Sequence, residues 1–68
     1  MRTEFYEADP FGGSRGNLLA AIESDSRWEK GDGVWVRTGD ETLKLRVTWV
    51  NVSVCDGVAS RELLGLKL

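Results

Sequence analysis

The sequence predicts a mainly β chain, a small antiparallel sheet or partly open barrel of four to five strands with a C-terminal meander over residues 34–68. Three observations predict it. Apolar and polar residues alternate over Val34–Arg37, Thr42–Trp49 and Leu64–Leu68. Turn dipeptides, Gly39-Asp40 and Asp56-Gly57, separate these segments. The two turns also put the three segments into registers that agree.

From the N-terminus, Arg2 to Ala8 holds Phe5 and Tyr6 in a mostly polar run that stops at Asp9-Pro10, which reads as an edge strand. Phe11-Gly12-Gly13-Ser14-Arg15-Gly16 follows as a flexible connector. It lacks the Gly-Lys-Ser/Thr of a P-loop and the glycine spacing of a dinucleotide site, so no phosphate cradle is expected there. Leu18-Leu19-Ala20-Ala21-Ile22 suits either a buried strand or a short helix capped by Asn17. The helical reading gives an α+β alternative, with one short helix near 17–24 packed on a three- to four-stranded sheet. The run ends at Ser24-Asp25-Ser26 after little more than one turn, and helices that short are weak without packing, which favours the strand.

In the meander, Gly39 at the first central position suits a two-residue type II′ turn, so Val36 should face Leu43 and Val34 should face Leu45. Asp56-Gly57 suits a type I′ turn, because both residues tolerate positive φ, and it sets Trp49 against Leu64, Val47 against Leu66 and Leu45 against Leu68. Side chains alternate between faces, so Val34, Val36, Leu43, Leu45, Val47, Trp49, Leu64, Leu66 and Leu68 are expected on one core face. After Trp49 the apolar parity shifts to Val50, Val52 and Val54, which calls for a bulge or bend near Trp49 to Asn51. Ser60 is a candidate cap for a short helical turn through Leu63.

Trp28-Glu29-Lys30-Gly31-Asp32-Gly33-Val34, an aromatic followed by a Gly-Asp turn and a strand, resembles the approach to a strand in SH3-like and related small barrels. Lys30-Gly31-Asp32-Gly33-Val34, Leu45-Arg46-Val47-Thr48-Trp49-Val50 and Leu64-Gly65-Leu66-Lys67-Leu68 together resemble pieces of the PilZ family of β-barrels. That family pairs a Gly-Asp before one strand with an Arg-Val-x-Trp-Val strand and a terminal Gly-x-x-Phe strand. Its Arg-x-x-x-Arg switch and Asp-x-Ser-x-x-Gly loop are missing here, so its dinucleotide binding does not carry over.

With 68 residues the chain is expected to form a single domain, 1–68, near the lower size limit for unaided folding. A lone Cys55 allows no internal disulfide, the absence of His argues against a conventional zinc site, and no cofactor motif occurs. A reducing cytoplasm fits this usage. Neither a membrane-length apolar run nor a signal-peptide core is present, and the chain reads as complete and soluble.

Catalysis has little support. Asp40 and Glu41 sit in an exposed turn, and Cys55 has no His partner and lies beside Asp56, whose charge discourages the thiolate. The expectation is a non-enzyme without catalytic residues, metal or cofactor. The register leaves Trp35, Arg37, Lys44, Arg46, Thr48 and Lys67 on the face opposite the core, where Trp35, Arg37, Lys44, Arg46 and Lys67 form an aromatic and cationic candidate binding patch. Residues 1–33 carry seven acids against four bases, and residues 34–68 carry four against five, within a net charge of −2. A protein partner is the leading expectation: a small regulator or inhibitor that occupies a surface of a larger protein, including inhibitors of the kind phages and other mobile elements encode. Nucleic acid or another anion held by the Trp, Arg and Lys face is the second reading, although net acidity weighs against it. A homo-oligomeric module, completed through edge strands or leftover apolar surface, is the third.

Overall fold

The computed structural model describes residues 1–68 and contains strands but no helix. The strands are β1 (Arg2–Ala8), β2 (Arg15–Glu23), β3 (Gly33–Thr38), β4 (Glu41–Cys55) and β5 (Val58–Lys67). They form one sheet in the order β2-β1-β5-β4-β3. The sheet curls into a half-barrel with β2 and β3 at its two edges. All neighbours are antiparallel except β1 and β5, which run parallel.

The predicted turns form. Gly39 has φ +60° while Asp40 stays negative, as a type II′ turn requires, and Val36 opposes Leu43 and Val34 opposes Leu45. Asp56 and Gly57 have φ of 51° and 76°, matching type I′, and Trp49 opposes Leu64. The helical alternative over 17–24 is excluded, because Leu18, Ala20, Ala21 and Ile22 pair with β1. Ser60 to Leu63 continue β5 and start no helical turn.

Two expectations about position are corrected. β1 is an interior strand, flanked by β2 and β5, and its Thr3, Phe5 and Ala8 are buried. Its polar residues suit an edge, but the parallel pairing with β5 joins strands far apart in sequence through no turn and places β1 inside the sheet. The second correction concerns the core face. The bulge falls at Thr48, between Val47 and Trp49, earlier than the parity of the valines placed it. Val47 therefore opposes Gly65, Leu45 opposes Lys67 and Arg46 opposes Leu66. Trp49, Leu64, Leu66 and Leu68 thereby leave the inner face; Trp49 and Leu68 are 54% and 58% exposed.

Phe5, Val47 and Leu63 form the centre of the core, with Leu19, Ala20, Trp28, Val34 and Val50 packed around them. Trp28, from the segment between β2 and β3, meets Phe5 edge to face with ring centroids 5.4 Å apart. The Arg61 guanidinium lies 4.8 Å from the Trp28 ring centroid, and Arg61 donates to Thr3 Oγ1 at 2.9 Å and to the Ser24 carbonyl at 3.1 Å. This buried cation has no carboxylate within ion-pair distance. Its neighbours are a π face, a hydroxyl and a carbonyl. No helix is long and apolar enough to cross a membrane.

Candidate functional site

Strand alternation builds the outer face of β3 and β4. Trp35 opposes Lys44, Arg37 opposes Thr42 and Arg46 opposes Gly33, so one aromatic and three cations share that surface. Trp35 is 67% exposed and the Lys44 ammonium sits 5.4 Å from its ring centroid. The indole is therefore an open platform and no part of the core. Gly33 has no side chain to cover Arg46. Arg37, Lys44 and Arg46 are exposed and take part in none of the ion pairs of the structure.

Lys67 does not join them. It opposes Leu45, whose side chain belongs to the inner face, because the bulge at Thr48 shifts the β4–β5 register by one residue. Leu66, half-buried, takes the position beside Arg46. The same bulge splits the Arg46-Val47-Thr48-Trp49-Val50 run that resembles a PilZ strand.

Further along the outer face lies a cleft of about 580 Å³, with Ser14 and Arg15 on one wall, Trp49 and Asn51 on the other, and Glu62 and Leu64 from β5 between them. Trp49 Nε1 donates to Asn51 Oδ1 at 2.7 Å, and Arg15 is paired with Glu62 at 2.9 Å. Trp49, expected in the core, and the glycine-rich loop, expected as a plain connector, both line this cleft. The parity shift after Trp49 was the available signal, and its ambiguity lay in which residue bulged. A second cleft, about 240 Å³ and mostly apolar, opens on the inner side between the β2 and β3 edges, where Ile22 and Val36 line it.

Asp40 and Glu41 are exposed in the β3–β4 turn, and Cys55 is exposed with its Sγ 3.9 Å from Asp56 Oδ2. No group of three or more His, Cys, Asp or Glu residues is placed to hold a metal ion. The surface groups available for contact are an exposed indole, three exposed cations and the Asn51 amide.

The fold defines the chain as a small, mixed five-stranded half-barrel. No protein-family model, curated protein or solved structure matches it.

Proposed function

We propose that the chain is a non-enzymatic binding protein that regulates or inhibits a larger protein by occupying an acidic part of its surface, with Trp35, Lys44, Arg37 and Arg46 making the contact. The observation that carries this reading is the exposed Trp35 under Lys44, beside two further cations without acid partners. A large exposed aromatic beside arginine is the composition that dominates interface energetics, since it buries much area at small entropic cost. Cations without acid partners also favour an acidic counterpart and speed its association.

The test is capture from extracts of the native host, using wild-type, Trp35→Ala and Arg46→Glu baits. A partner retained by wild type should bind Trp35→Ala with roughly thirty-fold lower affinity, the effect of about 2 kcal/mol. Arg46→Glu should lose it more completely, because the charge is reversed. The same partner on all three baits refutes the reading.

The second reading, a single-stranded nucleic acid stacked on Trp35, draws on the same aromatic and cationic pairing. A net charge of −2 weighs against it. Titration with a short oligothymidylate separates the two, because binding that survives with steep salt dependence supports nucleic acid.

A further inference from the structure

We infer that the outer half of β4 is a self-pairing edge, and that two copies of this chain join through it antiparallel about a two-fold axis at Val52. This goes beyond the proposed function and uses none of the Trp35 face. β3 pairs with β4 only as far as Arg46, and the last backbone bonds across that side link Val47 to Gly31 and Asp32. From Thr48 to Cys55, β4 has β5 on one side and no strand on the other. β1 begins its pairing with β5 at Ser60, so Val54 to Ala59 form a bare two-stranded ribbon.

Beyond the bulge at Thr48, the sequence of this edge lacks the usual protections. Thr48-Trp49-Val50-Asn51-Val52-Ser53-Val54-Cys55 holds no charge, no proline and no glycine, and Val52 and Val54 are 61% and 71% exposed. Proteins normally blunt free edges with charges, prolines, bulges or short strands. The other two edges are protected in those ways: two register shifts interrupt β2, which ends in Arg15 and Glu23, and β3 is six residues long and carries Arg37.

Hydrogen-bond parity selects the register. Across a two-residue turn the flanking Cys55 and Val58 exchange both backbone bonds, so the N–H and C=O groups of Val54, Val52 and Val50 point away from β5. An axis at Val52 sets Val50 against the partner's Val54 and Val52 against the partner's Val52, all as hydrogen-bonded pairs. No like charges oppose one another anywhere along it. The overlap ends where Val47 turns to Gly31 and Asp32, so the open length accommodates one copy of itself. The valine side chains continue the inner face outward from half-buried Val50, and pairing extends that apolar row across the axis.

Sedimentation equilibrium from about 1 μM to about 1 mM tests the association, which should raise the mass from 7.6 kDa towards twice that value. Val52→Pro removes an outward N–H without touching the β4–β5 ladder and should raise the dissociation constant at least about tenfold. Val52→Lys, which sets two ammonium groups together at the axis, should do the same if the proline variant fails to fold. Val52→Cys in a Cys55→Ser chain should form a disulfide dimer on oxidation, since hydrogen-bonded antiparallel pairs place Cα atoms about 5.5 Å apart. A monomer throughout the range overturns the inference, as does a dimer that Val52→Cys fails to cross-link.

Discussion

Replacing Gly65 with Ala tests the bulge at Thr48 through the sign of its effect. An alanine Cβ at this site would lie 2.9 Å from Leu45 Cβ and 3.0 Å from Leu45 Cδ1. Leu45 is only 1% exposed, and its Cβ is fixed by the backbone, so the clash needs movement of β4 itself. Overpacking of this kind costs about 1 to 3 kcal/mol. Gly65 has no positive φ, so alanine would otherwise gain roughly 0.5 to 1 kcal/mol by restricting the unfolded chain. The net expectation is a loss of about 0 to 2.5 kcal/mol, a fall of up to roughly 20 °C in Tm for a chain of this size. Gly33→Ala is the control: nothing lies within 4 Å of its Cβ position, and it should be neutral or slightly stabilising. Thermal and urea unfolding of the three proteins would measure it. If the β4–β5 register continued without a bulge, Leu66 would oppose Val47 and Gly65 would face outward, and a Tm for Gly65→Ala raised as in Gly33→Ala would refute the shifted register.

Thr3→Val keeps the shape of a fully buried residue but removes the acceptor for Arg61 Nε, and should cost about 1 to 3 kcal/mol in urea unfolding. Val36→Thr should cost a similar amount, about 1 to 3 kcal/mol, and Leu43→Thr somewhat less because it is half-buried; Arg37→Thr and Thr42→Val, both exposed, should stay within about 0.5 kcal/mol. Trp28→Ala, which removes the ring between Phe5 and Arg61, should lower stability by about 3 kcal/mol, whereas Trp35→Ala should lower it by less than about 1 kcal/mol. Cys55→Ser should leave the melting curve unchanged, and the native thiol should react with a disulfide reagent at the rate of an unactivated exposed cysteine.

The meander was legible because its information is local. Gly39 and the Asp56-Gly57 pair announce their turns, and alternation does the rest, so the β3–β4 register and the outer part of β4–β5 follow from sequence. The position of the bulge was not legible, because Val47, Trp49 and Val50 are all apolar and either parity satisfies the pattern. The ambiguity decides the face of Trp49, and continuing the register of the Asp56-Gly57 turn past the bulge puts Leu64, Leu66 and Lys67 on the wrong faces, since a slip of one inverts every side chain beyond it. The buried Arg61 was equally hidden: its partners Thr3 and Ser24 lie 58 and 37 residues away and carry no motif. The face with Trp35, Arg37, Lys44 and Arg46 was readable because it lies on the N-terminal side of the bulge, within the register fixed by Gly39.

The claim that Trp35 is a working surface residue is tested most directly by following binding and unfolding together in Trp35→Ala. A partner captured by the wild-type chain should be lost by at least about ten-fold in affinity, while the melt of the free variant stays close to wild type. Capture at wild-type affinity by a fully folded Trp35→Ala protein would contradict the account.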